Sequence, residues 1–175
     1  MEPISPLRRP LPIVVTCGEP SGVGPEIAGM MWRALGADVP FFLLGDPDHL
    51  PVGLPISRID HPSETRAAAQ TGLPVLPHVF AAPAVPGRPA PQNAQGVIDV
   101  IERAVHYVQT GEASAITTMP IHKKALKDGA GFAFPGHTEF LAHLAGVETV
   151  VMMLACDDLR AVPVTIHIAL SQVPT

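Results

Sequence analysis

The chain has 175 residues, enough for a domain of ordinary size with a real core. It is 47% hydrophobic, 15% charged and 5% aromatic, with a net charge of −5. The core must therefore be built from Val, Ile, Leu, Ala and Met, and nucleic acid is not an expected partner, because no basic patch interleaves with aromatics.

Met1 to Pro12 form a tail with Arg8 and Arg9 but no apolar segment of the secretory kind. Ile13-Val14-Val15-Thr16 reads as a buried strand. Cys17-Gly18-Glu19-Pro20-Ser21-Gly22-Val23-Gly24 is a glycine-rich turn, followed by a helix from about Pro25 to Leu35 with Ile27, Met30, Met31, Ala34 and Leu35 on one face. Strand, glycine turn and helix open an α/β unit, and such turns sit where open sheets bind ligands. Ile27 stands where a dinucleotide fingerprint needs its third glycine, and no Gly-Lys-Ser/Thr is present, so the turn reads either as structure or as a ligand loop through Gly18, Glu19, Gly22 and Gly24.

Phe41-Phe42-Leu43-Leu44 is a second strand, ended by Gly45-Asp46-Pro47. Residues 51–92 hold many of the 21 prolines and read as a loop segment, with Ile56, Leu73, Val75, Leu76, Val79 and Phe80 as apolar anchors. Helical spacing returns from Asn93 to Thr110, with Val97, Ile98, Ile101, Ala104, Val105 and Val108 on one stripe and Gly111 closing it. Ala115 to Thr118 is a strand running into Met119-Pro120-Ile121-His122-Lys123-Lys124, a short helix to Lys127, and a turn over 128–131. His122 and Lys123 at a strand's carboxyl end read as anion contacts or as a solvated basic turn.

Phe134-Pro135-Gly136-His137-Thr138-Glu139-Phe140 opens another helix, with Thr138 as its N-cap and Gly146 closing it. Free backbone N–H groups at a helix N-terminus favour an anion, and His137 and Thr138 add side-chain donors. The alternative is a capped helix with an exposed histidine. Thr149 to Leu154 reads as a buried strand, Asp157-Asp158 as a turn, and Arg160 to Ile168 as an alternating strand ending near His167. Ser171 reads as a lead-in to a further helix, which makes the chain look cut. The longest apolar run, Val150 to Cys156, is too short to span a bilayer. Cys17 and Cys156 form no CxxC and fit reduced, buried thiols in a cytoplasmic protein.

Three motifs, Gly18 to Glu26, Thr118 to Lys123 and Phe134 to Phe140, together resemble the 4-hydroxythreonine-4-phosphate dehydrogenase family of pyridoxine biosynthesis; Thr165-Ile166-His167 matches it too. The resemblance implies an α/β fold of the isocitrate and isopropylmalate dehydrogenase kind. It implies two α/β/α domains flanking a cleft, truncated here to an N-terminal half, with one portion expected over 13–118 and the start of a second over 119–175. It implies NAD or NADP as coenzyme and a divalent metal (Zn, Mg or Co) held by three histidines, of which His167 is the first. It also implies substrate contacts at His137 and Thr138, a phosphorylated small-molecule substrate, and a homodimer sharing its active site. The catalytic residues are not identified. The implied reaction oxidises the secondary hydroxyl of 4-phosphohydroxy-L-threonine and decarboxylates the 3-keto product, with the isolated chain inactive. Competing expectations are a paralogous threonate or erythronate 4-phosphate dehydrogenase, a non-catalytic fragment, and a phosphate acyltransferase-like enzyme.

Overall fold

The computed structural model describes residues 10–165 and 168–173. The chain divides into two compact units, Met1–Phe134 and Pro135–Thr175. The first is built on a parallel sheet of five strands, β1 (Ile13–Thr16), β2 (Phe41–Gly45), β3 (Ile56–Arg58), β4 (Leu73–Pro77) and β5 (Ala115–Thr118), in the order β3-β4-β2-β1-β5. Val14 and Val15 register with Phe42 and Leu43 on one side and with Ile116 and Thr117 on the other. The class is the expected α/β.

Helix α1 (Gly24–Leu35) carries the chain from β1 to β2, and α3 (Ala94–Gln109) carries it from β4 back past β1 to β5. Right-handed crossovers running in opposite directions place the two helices on opposite faces. The central strands are therefore covered twice and are apolar on both faces, as parallel sheets require: Val14, Phe42, Leu44, Leu73 and Val75 are all fully buried. Helix α3 buries Val97, Ile98, Ile101, Ala104 and Val105, the stripe its spacing predicts.

Helix α1 occupies the expected residues but turns the other way. Its buried positions are Gly24, Pro25, Ala28 and Gly29, while Met30 is 66% and Leu35 46% exposed. Small residues win this face because a Cβ at Gly29 would already stand 3.1 Å from Leu54 Cδ1. Close backbone approach, not side-chain bulk, makes that contact.

The proline-rich segment carries β3, the short helix α2 (Thr65–Ala68) and β4. Proline masks β4 in the sequence. The β2–β4 ladder begins at Leu43↔Val75, so Pro74, which lacks an N–H, stands just ahead of it. Beyond β4 the chain is pinned by Asn93, 1% exposed, whose side chain accepts from Ala82 N at 2.8 Å and donates to Ala82 O at 2.9 Å. Helix α4 (Lys123–Ala130) runs past the expected end at Lys127 and stops at Gly131, φ +65°. Lys124 pairs with Asp128 one turn on, and Gly129 comes so close to Pro91 O that a Cβ would stand 2.4 Å away. The first unit thus extends beyond Thr118.

The second unit contains α5 (His137–Ala145) and an antiparallel pair, β6 (Leu154–Ala155) and β7 (Arg160–Ala161). Thr149 to Leu154 is not the buried strand expected. Val151 is 64% and Met153 56% exposed, and the strand begins only at Leu154. A sheet face is buried when a second layer covers it, and among the described residues β6 pairs only with the two-residue β7. The strand expected over Arg160 to Ile168 is confined to Arg160–Ala161, and Ile166 and His167 lie outside the described residues. The turn between β6 and β7 closes through Cys156 N donating to Leu159 O at 2.8 Å. Cys156 is exposed, against expectation; Cys17 is buried. Among the described residues no helix is long and apolar enough to cross a membrane.

Asn93→Ala should leave Ala82 N and O without partners and cost about 2–4 kcal/mol. Urea unfolding would register the loss, and limited proteolysis should cut 78–92 faster than in the parent protein.

Candidate functional site

In a parallel sheet the loops at the carboxyl ends of the strands form the crevice, and they do so where the connections reverse direction. Here that place lies between β1 and β5, and the two expected motif loops meet there. Gly18, φ +68°, lies so near the other loop that a Cβ would stand 2.4 Å from Pro120 O, and one at Gly24 would stand 2.2 Å from Cys17 O and 3.2 Å from Met119 Cβ. Glu19 N donates to Pro120 O at 2.9 Å. The glycines are needed for this contact.

The loop is also braced from within. Glu19 is 7% exposed and its Oε1 accepts from Ser21 N at 3.0 Å; Gly22 N donates to Glu19 O at 2.9 Å. From the proline-rich side Gly87 N donates to Ser21 O at 2.8 Å. Among the described residues, Thr16 Oγ1 and Ser21 Oγ are buried without hydrogen-bond partners. Burial pushes the Cys17 thiol up to about 12; the charges of Glu19 and Asp46 act the same way and a backbone hydrogen bond opposes them. Cys17 is thus a neutral wall rather than a nucleophile.

His122 caps α4, its Nδ1 accepting from Ala125 N at 3.0 Å. In the neutral ring the proton is then on Nε2, which leaves one outward donor. His122 and Lys123 are both exposed, so an N–H and an ammonium stand at the start of α4, in the loop that leaves Pro120.

In the second unit Gly136 precedes α5, His137 is its first residue and Thr138 its second. Thr138 is therefore not the N-cap: the extended Gly136, φ −176°, starts the helix earlier, and among the described residues no side chain caps it. Both residues do stand at the helix N-terminus, as expected. Thr138 and Glu139 line a cleft of about 210 Å³ with Val150, Met152, Pro163 and Thr165. His167, the expected metal ligand, lies outside the described residues. Among the described residues no three His, Cys, Asp or Glu side chains gather as a metal site.

Sequence reasoning missed two clefts in the first unit, of about 280 and 320 Å³, which share Asp48, His49 and Ala84. Asp46, at the end of β2, lines the smaller of the two, and its carboxylate accepts from Asp48 N at 3.0 Å and from Phe80 N at 3.1 Å. The available signal was the position of Asp46 after a strand's carboxyl end; the approach of Phe80 has no local signature. Behind them, burial and then the nearby Arg103 guanidinium lower the His78 imidazole below its ordinary value.

The family model for pyridoxal phosphate biosynthetic protein PdxA matches residues 40–175. A 4-hydroxythreonine-4-phosphate dehydrogenase of Roseobacter denitrificans is 56% identical, over 93% of this chain and 50% of its own length. The protein of that name from Caulobacter vibrioides is 42% identical, over 94% of this chain and 52% of its own length. The solved 4-hydroxythreonine-4-phosphate dehydrogenase of Klebsiella pneumoniae superimposes with a TM-score of 0.81 at 31% identity, over 93% of this chain and 53% of that one. The chain spans about half the length of the curated relatives it matches.

At about pH 8 a thiol reagent should titrate Cys156 alone in the native protein and both cysteines after unfolding in urea. An unfolded Cys17 ionises near 9.0 while the folded one keeps its proton to about 12. The unfolded state sheds its proton first, so stability should fall as pH rises across that window. Gly24→Ala should destabilise the fold by about 2 kcal/mol or more, read by urea unfolding.

Proposed function

Because the chain belongs to the PdxA family of pyridoxal phosphate biosynthetic proteins, we propose that it forms part of an NAD(P)-dependent dehydrogenase acting on 4-phosphohydroxy-L-threonine. The reaction moves a hydride from the carbinol carbon to the nicotinamide and releases the hydroxyl proton. The resulting β-keto acid then loses carbon dioxide, the electron pair of the broken C–C bond being drawn toward the ketone. The observation that carries this reading is the family match across 40–175, supported by the locked loops of Gly18 to Gly24 and Met119–Pro120 at the carboxyl ends of β1 and β5.

The residues take these roles. His137 and Thr138, at the N-terminus of α5, hold the substrate by charge-assisted and hydroxyl hydrogen bonds, an anchor that fixes the reacting carbon against the coenzyme. His122 and Lys123 offer further anion contacts. Glu19, braced by Ser21, holds the glycine loop in shape rather than meeting the substrate. His167 is proposed as one ligand of a divalent metal. Such an ion lowers the pKa of a bound hydroxyl and polarises the ketone that replaces it. The described residues complete no such site, so no step here depends on it. The working enzyme is proposed to be a cytoplasmic homodimer with its active site shared between subunits. The 175 residues alone are expected not to reduce coenzyme.

The test uses the complete reading frame. Thr138→Ala and His137→Ala should each raise KM about tenfold to a hundredfold, with a smaller change in kcat, as the loss of one hydrogen bond to a charged group requires. His167→Ala should abolish metal-dependent turnover; normal turnover in that variant would sink the ligand assignment. Steady-state assays of coenzyme reduction decide both.

A further inference from the structure

At the amino ends of the strands, away from the crevice, the first unit gathers a serine, a histidine and a glutamate that the proposed reaction does not use. His61 starts the single 3₁₀ turn Pro62–Glu64 that follows β3. Its Nδ1 accepts from Ser63 N at 3.2 Å, so in the neutral ring that nitrogen carries no proton. Ser63 Oγ lies 2.9 Å from the same nitrogen and therefore donates to it. The ring proton is then on Nε2, which donates to Glu112 Oε2 at 2.9 Å. The other Glu112 oxygen accepts from Thr110 Oγ1 at 2.9 Å, which fixes the carboxylate. Hydroxyl, imidazole and carboxylate thus form one chain with a single direction of donation. Capping the turn accounts for the backbone bond to Nδ1. It requires neither the shorter bond from the hydroxyl nor Glu112, which arrives from the turn ahead of β5.

Ser63 opens on a cleft of about 170 Å³. Leu11, Pro12, Pro40 and Pro62 give it apolar walls, and Arg66 gives it a cation. The walls are held by the sheet, since Ile13 N donates to Pro40 O and Ser114 N to Pro12 O, both at 2.9 Å. Among the described residues no carboxylate lines the cleft and none pairs with Arg66. The volume is well below the roughly 300–1,000 Å³ of pockets for larger ligands. It suits a short acyl group.

We propose that Ser63, His61 and Glu112 form a second, hydrolytic site that cleaves short-chain acyl esters. Ser63 Oγ attacks the ester carbonyl carbon and its proton passes to His61 Nδ1. The carbon–oxygen bond to the alcohol then breaks, and the alcohol leaves with that proton. Water attacks the acyl-serine by the same route, giving up a proton to Nδ1 that returns to Ser63 Oγ as the carboxylic acid departs. Glu112 is a positioning residue: it holds the ring in the tautomer that leaves Nδ1 free to act as base. Arg66 offsets the negative charge that grows on the carbonyl oxygen. No coenzyme or metal enters, so this inference stands apart from the dehydrogenase reading.

The test gives the complete reading frame 4-nitrophenyl acetate and follows release of 4-nitrophenolate, with peptide mass spectrometry to locate any acetyl group. Release should saturate with ester, and acetyl should be found on Ser63. Ser63→Ala keeps the backbone bond to His61 and should abolish the saturable release. Glu112→Gln should lower kcat about tenfold or more while KM stays unchanged, and Glu112→Asp should recover part of the loss. Circular dichroism melting verifies that each variant folds. Release that does not saturate, saturable release that persists in Ser63→Ala, or acetyl found only on Cys156 and lysines overturns the proposal. An unchanged kcat in Glu112→Gln overturns the three-residue assignment.

Discussion

The contact between the glycine loop after β1 and the Met119–Pro120 segment after β5 sets the geometry of the first unit's crevice. Two parallel strands side by side deliver their following loops to the same edge, but ordinary residues would hold those loops apart by a side chain's width. Glycine at 18 and 24 removes that width, and the hydrogen bond from Glu19 N to Pro120 O closes what remains. The start of α1, the exit toward His122 and the docking of Gly87 on Ser21 all follow from the fixed position of this loop. Cys17, sealed beneath it and held protonated by burial, completes a dry support.

A second organising point is the Asp46 carboxylate. It spends both oxygens on backbone donors from separate turns, so its work is architectural even though it stands where open sheets place ligand-binding acids. Asn93 performs the same service for Ala82. Two buried or half-buried polar side chains thereby order a proline-rich connection that has little regular structure with which to satisfy its own backbone.

Much of this was legible in the sequence. Strands β1 and β2 are short apolar runs and α3 has a clean helical stripe, because each buries large side chains; β5, Ala-Ile-Thr-Thr with no buried residue, was legible from its β-branched residues. The loop at 17–24 and the helix start at 136–138 were legible because glycine and proline punctuate them. Helix α1 misled because its packed face is made of glycine, alanine and proline, which hydrophobic periodicity counts as weak, while Met30 and Leu35 face solvent. Strand β4 was hidden by Pro74, and the buried strand expected from Thr149 was read from composition where burial depends on a covering layer. The clefts beside Asp46 were out of reach because Phe80 and His49 meet only through the fold.

Gly18 and Gly24 also bear on how the gene can drift. Every amino-acid change reachable from a glycine codon by one base installs a Cβ or worse, and at these two positions a Cβ meets backbone atoms, which cannot rotate away. No small first step toward another residue exists, and a compensating shift would have to move two loops on two strands together. These codons are therefore closed to gradual exploration, whatever ligand the crevice serves, while the neighbouring exposed Val23 is free to vary.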